Sequence, residues 1–323
     1  EIADLVAGRS PPYAKVGVFD IDGVLRGKHL HADKLASALE KGMGFCDVVL
    51  GWDSADQLYD NVAFTGWHTA YPDASVRVLP ETCRDIPWEA DMVFFLAEFE
   101  GDAESICPRG ILRRTVEKAA AMGYDVSAAA EYEFFLFQET PESVRAKNYR
   151  DLTPLTPGFF GYSMLRTSVH SDLHMAFLEM CELMDFPIEG YHSESGPGVL
   201  EAAIQVDNIM AAADKAILFK TFTKIFAQRN DLMATFMAKW STEYPGQSGH
   251  IHLSLRNQDG SSAFHEPGRE HAMSDAMRWF VGGQQTLMPE LLAMVSPTVN
   301  SYTRMVPGFW APTEANWGVE NRT

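Results

Sequence analysis

The sequence contains few cysteines and no long apolar run. Its four cysteines among 323 residues are scattered, without a CxxC pair or a metal-type spacing. This excludes a disulfide framework and a cysteine-based zinc site as organising features. The longest apolar run, near Met92–Phe99, is too short to cross a bilayer, and no signal-peptide pattern opens the chain. We therefore expect a reduced, cytoplasmic protein with no membrane partner.

Positive charge is also scarce. The formal net charge is −18, with 26 Lys and Arg against 44 Asp and Glu, and no basic block stands out. This balance weighs against nucleic acid or an anionic membrane as a partner, and it suits the binding of divalent cations. The length is sufficient for two domains with sizeable cores.

Residues 15–31 alternate apolar and polar side chains around Asp22-Gly23, which predicts a β-hairpin. The string FDIDGVL in this stretch also resembles the nucleophile motif of haloacid-dehalogenase-type phosphatases. Such an enzyme needs a helix soon after the loop, whereas here the strand-like run VLRGKHL follows at once. We therefore favour the hairpin.

The pattern along the chain predicts two domains, residues 1–105 and residues 106–323. In the first we expect the hairpin, a helix at Asp33–Gly42 capped by Asp33, an irregular stretch over 51–75, and strands at 75–79 and 91–99. In the second we expect a helix over 109–123, a strand over 129–137, a loop over 138–162, helices at Ser163–Phe186 and Asn208–Met237, a strand at Gly249–Arg256, a helix at Ser274–Leu292 interrupted at Gly282-Gly283, and a turn-rich end.

Two carboxylates lie within the apolar, aromatic strand AAEYEFFLF. Because side chains alternate along a strand, Glu131 and Glu133 project from one face, about 7 Å apart. An unpaired buried charge is costly, so the pair indicates either a shared cation or a strand edge open to water.

Further residues of the metal-ligand type occur later in the chain. Glu194 and Glu201 flank a Gly-Pro-Gly turn, and His250 shares one face of a predicted strand with His252. Oxygen ligands suit Mg²⁺, and an added imidazole suits Mn²⁺ or Mg²⁺ in a mixed site. Two such ions neutralise charge during phosphoryl transfer from ATP, so the pattern by itself predicts a metal-dependent phosphoryl-transfer site.

Four motifs resemble, in the same order, those of the glutamine synthetases and related glutamate–amine ligases. They are EYEFFLF, YHSESGPGVLEAAI, PGQSGHIHLSL and NSYTRMVPGFWAP followed by NR. The resemblance runs from the hairpin to the last residue. It implies an α+β protein with an N-terminal β-grasp-like domain, followed by a catalytic domain built on a curved antiparallel sheet flanked by helices.

The resemblance also implies individual roles. Glu133, Glu194 and Glu201 would hold a metal ion near the glutamate substrate. Glu131 and His250 would hold a second ion, on the ATP phosphates. The remaining implied roles are Gly246 beside the glutamate, Arg304 on its carboxylate, Arg322 facing the transferring phosphate, Glu189, His252 and Ser254 with the nucleotide, and Asp53 of a neighbouring subunit near the amine.

The implied chemistry has two steps. The γ-carboxylate of glutamate attacks the γ-phosphate of ATP, which gives γ-glutamyl phosphate and ADP, and an amine then displaces phosphate to form an amide. The implied cofactors are Mg²⁺ or Mn²⁺, two or more per site. The implied assembly is a homo-oligomer of stacked rings in which each active site borrows a loop from a neighbouring N-terminal domain.

Two departures from the family pattern matter. Trp310 stands where glutamine synthetases carry a Glu that helps to bind ammonium and to accept its proton. An indole can do neither, but it packs against alkyl groups and covers cations. We therefore expect an organic amine or polyamine, and Trp310 joins the predicted substrate-binding residues. The alternative is a true glutamine synthetase that uses ammonia, with Glu314 in place of the missing acid.

The family also continues beyond the point where this chain stops, and that continuation includes another glutamate for the second metal. The catalytic domain would then be truncated at its C-terminal end, with weak or no activity. Two other classes stay open: a catalytically inactive structural member of the family, and a guanidino phosphotransferase of the same catalytic fold.

Overall fold

The computed structural model describes residues 2–321, and these form two compact units. The N-terminal unit comprises the chain up to Lys118 with Glu179–Pro187 and Asp214–Thr221. The C-terminal unit comprises Ala119–Leu178, Ile188–Ala213 and the chain from Phe222 onwards. No helix among residues 2–321 has the length and apolar character that crossing a membrane requires.

The N-terminal unit is built on a five-stranded sheet with the order β2-β1-β5-β4-β3. Only the β1–β5 pair is parallel, and the other neighbours are antiparallel. The elements are α1 (Ile2–Ala7), β1 (Tyr13–Phe19), β2 (Leu25–His31), α2 (Ala32–Lys41), β3 (Met43–Cys46), β4 (Asp73–Ile86), β5 (Glu89–Phe99) and α3 (Pro108–Ala121), with short 3-10 turns at Asp47–Leu50 and Gly101–Ser105.

The predicted hairpin is confirmed as β1 and β2, whose register begins at Phe19 opposite Leu25. The turn between them is held by the Asp20 carboxylate, whose Oδ1 accepts hydrogen bonds from the amides of Asp22 (3.0 Å) and Val24 (2.7 Å). An immediate second strand leaves no room for the helix that the phosphatase alternative needs.

Helix α2 follows as predicted, with one correction at its start. The N-cap is His31, whose Nδ1 accepts a hydrogen bond from the amide of Asp33, so Asp33 lies in the first turn and is not the cap. An acidic side chain in the first turn still complements the positive end of the helix dipole. The core of the unit includes Leu35 of this helix, packed with apolar side chains of β1, β4 and β5.

The C-terminal unit is built on a six-stranded sheet in which β6 pairs with β8, β9, β10 and β11, and β8 also pairs with β7. Every pair is antiparallel, which confirms the predicted antiparallel catalytic sheet. The elements are β6 (Tyr124–Phe137), α4 (Pro141–Ala146), α5 (Met164–Val169), α6 (Ser171–Leu183), β7 (Ile188–Ser193), β8 (Val199–Ile204), β9 (Asp207–Asn208), α7 (Ile209–Arg229), β10 (Met233–Thr235), β11 (Gly249–Asn257), α8 (Asp275–Val295) and α9 (Val299–Arg304), with a 3-10 turn at Glu270–Ala272.

Both long helices predicted in this unit are shorter than expected. The helix expected over 163–186 is divided at His170 into α5 and α6, and Met164 and Val169 of α5 are exposed although they continue the apolar pattern. The helix expected over 208–237 ends at Arg229. There the Asn230 side chain donates a hydrogen bond to the Phe226 carbonyl, and β10 then joins the sheet.

Three further expectations are corrected. The stretch 138–162 contains helix α4, which begins with a reciprocal capping box between Thr140 and Ser143. Helix α8 runs through Gly282-Gly283 without interruption, since glycine lowers helix stability by about 1 kcal/mol but does not break a helix. The chain end predicted as turns includes helix α9.

Candidate active site

Strand register gathers four of the five predicted metal ligands, together with His192, on one face of the C-terminal sheet. Glu133 of β6 lies opposite Glu201 of β8, and His192 of β7 lies opposite the same Glu201. Glu131 of β6 lies opposite His250 of β11. Because directly opposed residues of neighbouring strands point to the same side, these five side chains share a face.

Glu131, Glu201 and His250 form the first close group, with one potential ligand atom from each within 4.8 Å of the others. The two imidazoles of β11 approach the Glu131 carboxylate. His250 Nδ1 lies 3.1 Å from Oε2, and His252 Nε2 lies 3.1 Å from Oε1. Oxygen and imidazole nitrogen donors without a thiolate are the set that fits a hard divalent cation.

His192, Glu194 and Glu201 form the second close group, again within 4.8 Å of one another. His192 Nδ1 lies 3.5 Å from Glu194 Oε1. The turn between the two glutamates is closed by the Glu194 amide, which donates to the Val199 carbonyl at 3.0 Å. Gly198 in this turn has φ +71°, and a β-carbon there would overlap the Leu136 carbonyl, so glycine is required.

Glu133 lies beside both groups and is partly buried. Its Oε2 accepts a hydrogen bond from the Ser248 amide. Burial raises the pKa of Glu133, and the negative charge of Glu194 adds to the rise, while Arg304 and His250 oppose it. Burial also raises the pKa of Glu201, and Glu133 is the first of the neighbouring charges that raise it further. Carboxylates held this close repel one another, and a divalent cation would relieve that repulsion.

Arg304, at the end of α9, is buried and lies against two other predicted site residues, Gly246 and Trp310. Its guanidinium donates to the carbonyls of Phe309 (2.9 Å) and Trp310 (3.1 Å), and its Nε has no hydrogen-bond partner within residues 2–321. Burial lowers its pKa, and the Glu133 carboxylate opposes that fall. A β-carbon on Gly246 would overlap the Arg304 side chain and the Ala238 carbonyl, so only glycine leaves room here.

The other predicted site residues are placed as follows. Trp310 has a largely exposed indole (81%) and φ +55°, and it is tied to Arg304 through its carbonyl. His252 and Ser254 lie on the same face of β11 as His250. Glu189 is exposed where the register of β7 and β8 shifts, and it belongs to neither close group.

Asp53 belongs to the N-terminal unit and lies outside both close groups. Its Oδ1 accepts hydrogen bonds from the amides of Ala55 and Gln57. Arg322, predicted to face the transferring phosphate, lies outside the described residues.

His192 is a candidate ligand that the sequence analysis did not include. It stands two residues before Glu194 in a strand-like run, so the same alternation that paired Glu131 with Glu133 would have placed it beside Glu194. The two close groups also share Glu201, a division that differs from the predicted grouping of ligands. The assignment of individual ligands to individual ions stays a prediction.

Residues 105–323 match the family model described as "Glutamine synthetase, catalytic domain". The chain belongs to the glutamine synthetase family. A type-1 glutamine synthetase 2 of Dictyostelium discoideum is 44% identical to it over 316 residues, which cover 97% of this chain and 60% of that protein. A glutamate–isopropylamine ligase of a Pseudomonas species is 35% identical over 327 residues, covering 100% of this chain and 71% of the ligase.

A solved structure has the same fold. The structure described as a GmaS/ADP complex superposes with a TM-score of 0.84 at 23% sequence identity, and the match covers 100% of this chain and 72% of that one. The present chain therefore spans between about six and seven tenths of the length of these matched proteins.

Proposed function

We propose that this protein uses ATP to join the γ-carboxyl group of glutamate to an amine through γ-glutamyl phosphate. The observation that carries the proposal is the cluster of carboxylates and imidazoles on one face of the C-terminal sheet, found in a member of the glutamine synthetase family. Its substrates would be glutamate, ATP and an amine, and its cofactor Mg²⁺ or Mn²⁺.

The donor set supports binding of more than one divalent ion. Glu133, Glu194 and Glu201, joined by His192, would hold an ion near the glutamate, and Glu131 and His250 would hold one near the ATP phosphates. When bound, such ions neutralise negative charge on the phosphates and on the incoming carboxylate. The raised pKa values of Glu133 and Glu201 support this assignment, because burial and neighbouring carboxylates disfavour their ionised forms, and a bound cation would compensate that charge.

The remaining residues would bind and orient the substrates. The buried Nε–H of Arg304 has no hydrogen-bond partner among residues 2–321, which suits a carboxylate of glutamate, and Gly246 supplies the space beside it. His252 and Ser254, with Glu189, would contact the nucleotide, and Arg322 would offset charge on the transferring phosphate. Holding the carboxylate and the phosphate in one orientation supplies much of the rate.

An organic amine is the proposed nucleophile. The exposed Trp310 indole offers an apolar and cation-covering surface, and one relative is named for its action on isopropylamine. The second candidate is ammonia, which is favoured by the 44% identical relative that is named a glutamine synthetase.

The test is an amine panel with the full-length protein. ADP release is followed with glutamate, ATP, Mg²⁺ or Mn²⁺ and either ammonia or an alkylamine, ethanolamine or a diamine, and the γ-glutamyl product is identified by mass spectrometry. We expect at least one organic amine to exceed ammonia. Ammonia exceeding every organic amine would contradict the organic-amine assignment. Binding of Mn²⁺ and ATP without any turnover would favour an inactive family member.

The proposed architecture follows the family. The N-terminal domain, residues 1–105, would be β-grasp-like, a reading supported by the hairpin and the parallel β1–β5 pair in its sheet. The catalytic domain, residues 106–323, would assemble into stacked rings in which Asp53 serves the site of a neighbouring subunit. Native mass spectrometry of the purified protein tests the assembly, and a monomer at working concentration would contradict it.

A further inference from the structure

Asp53 lies in a closed loop, residues 51–59, called here the Asp53 loop. Its ends are joined by the Tyr59 amide, which donates to the Gly51 carbonyl at 2.9 Å, and by an isolated β-bridge between Trp52 and Leu58. The Asp53 carboxylate accepts two amide hydrogen bonds from within the same loop. The Asp53 carboxylate is therefore fixed by the backbone of its own loop. Its position in the N-terminal unit depends on the contacts that hold the whole loop.

Arg26, on strand β2, holds the Asp53 loop from outside. Its Nη2 donates to the Asp53 carbonyl at 3.2 Å, and its Nη1 donates to the Asp56 carboxylate at 2.6 Å. Its guanidinium carbon lies 4.8 Å from the centre of the Trp52 ring. The Arg26 guanidinium thus contacts the Asp53 loop through two hydrogen bonds and through the face of the Trp52 ring.

The other side of the guanidinium is anchored on the hairpin turn. Arg26 Nε donates to Asp20 Oδ2 at 2.9 Å, and the Asp20 side chain is fully buried. The second oxygen of Asp20 accepts the amides of Asp22 and Val24. A buried carboxylate is stable only beside a compensating cation, so Asp20 of the hairpin turn holds the Arg26 guanidinium in one orientation.

The geometry suits arginine and not lysine. A lysine ammonium is a compact point charge and has no flat face to stack on Trp52, and it cannot direct donors to three separate acceptors from one plane. Asp56 has φ +62°, a region that aspartate adopts at some cost, and its ion pair with Arg26 helps to keep it there.

We propose that Arg26 is a positioning residue for the amine step, which sets the place of Asp53 without contacting a substrate itself. This inference rests on the proposed function, because the role of Asp53 near the amine is part of that proposal. Loss of the Arg26 contacts would weaken the hold on the Asp53 loop, which Asp22 of the hairpin turn also contacts at Ser54 and Tyr59, and would let the loop shift relative to β2. The metal and ATP residues of the C-terminal unit would stay unchanged.

Steady-state kinetics of Arg26→Lys and Arg26→Gln test the inference, with the amine that the unaltered protein uses best. We expect the KM for the amine to rise about tenfold or more, while the KM values for ATP and glutamate stay within about twofold. The matched control is Arg77→Gln, which removes ion pairs to Glu98 and Glu100 in the same unit and touches no residue of the Asp53 loop. Unchanged amine KM in both Arg26 variants would overturn the inference.

A double-mutant cycle separates positioning from general destabilisation. If Arg26 acts through Asp53, Arg26→Gln should add almost nothing to the amine KM of Asp53→Asn, whereas independent structural damage should add in full. Should Arg26→Gln fail to fold, Asp56→Asn removes only the exposed ion pair, and we expect a smaller rise of the same KM. An unaltered protein that forms no γ-glutamyl product with any amine would instead overturn the proposed function.

Discussion

Glu98 in the N-terminal unit and Glu133 in the C-terminal unit are both carboxylates on sheet strands, yet their charged surroundings differ. Glu98 is almost completely buried, and its oxygens contact the guanidinium groups of Arg77, Arg109 and Arg113. Burial alone would raise the pKa of Glu98, but hydrogen bonds from Arg77 and Arg109 bring it below its ordinary value. For Glu133 the balance is reversed, and its pKa is raised.

The same contrast holds for the buried arginines. Arg109 donates to the carboxylates of Glu98 and Asp214, whereas Arg304 donates, within the part of the chain that the structure describes, only to backbone carbonyls. The N-terminal unit thus supplies both signs of charge from its own side chains. At the candidate site of the C-terminal unit, Glu133 and Glu201 are short of cations and Arg304 is short of a carboxylate among residues 2–321, which is the condition expected of groups that bind charged ligands. Away from that site, the buried Glu139 of the same unit is paired with Lys147.

The largest effect should come from Glu133→Ala. We expect turnover to fall about 1000-fold or more, because a carboxylate among the proposed metal ligands is removed. The thermal midpoint of the metal-free protein should change little, because the substitution removes a repelling charge together with the acceptor of the Ser248 amide. ADP release and calorimetry measure the two quantities, and near-normal turnover would contradict the metal assignment.

Glu98→Gln should lower stability and leave turnover almost unchanged, which is the reverse of the result expected for Glu133→Ala. The free energy of unfolding should fall by about 3 kcal/mol, because the largely buried Arg109 would lose the charge that compensates it, while the half-exposed Arg77 can still be hydrated. Turnover per folded molecule should change little. Urea unfolding measures the loss, and a stability equal to that of the unaltered protein would show that this cluster does not stabilise the fold.

Gly246→Ala tests the space beside Arg304. The added methyl would overlap the Arg304 side chain, and overpacking of this kind costs about 1–3 kcal/mol. We expect the KM for glutamate to rise about tenfold, with little change in the KM for ATP. Gly282→Ala is the control, because a β-carbon there meets open space within helix α8 and should stabilise the protein slightly. Equal effects of both substitutions on glutamate KM would refute the assignment.

The smallest effect concerns pH. The folded-state pKa of Glu201 is raised, so its contribution to stability is favourable at low pH and is lost as the pH rises through the folded value. For Glu98 the pKa is lowered, so stability is present at neutral pH and is lost as the pH falls through the folded value. In metal-free buffer, Glu201→Gln should therefore gain about 1 kcal/mol or less relative to the unaltered protein as the pH rises.

Saturating Mn²⁺ should cancel this gain, because the ion compensates the ionised carboxylate of the unaltered protein. Urea unfolding between acid and neutral pH, with chelator or with Mn²⁺, measures both parts. A gain for Glu201→Gln that is the same with and without Mn²⁺ would contradict metal binding at this residue.

The sequence was most informative where alternation and burial coincide. The strand with His250 and the hairpin lie where they were predicted, because period-two patterning directly reflects which face of a strand is buried. The strand with Glu131 and Glu133 ends as predicted at Phe137 but begins at Tyr124, five residues before the predicted start. The resemblance to the family then indicated that the strand with Glu131 and Glu133 and the strand with His250 belong to one antiparallel sheet.

Other features depend on contacts that periodicity does not contain. The division of a helix at His170 and the early end of α7 follow from local capping and from the pairing of β10 with β6. The position of His192 opposite Glu201 depends on the register between β7 and β8, which is set by long-range pairing. The contact between Arg26 and the Asp53 carbonyl also joins residues far apart in the chain, so periodicity did not predict it.

Register has one more consequence. The candidate site is assembled from three independent ladders, in which Glu133 meets Glu201, Glu201 meets His192, and Glu131 meets His250. A slip of one residue in any ladder would send one strand's side chains to the opposite face and leave the group incomplete. Affinity for a divalent cation would therefore report on the fidelity of folding: a misregistered molecule can be compact and still fail to bind.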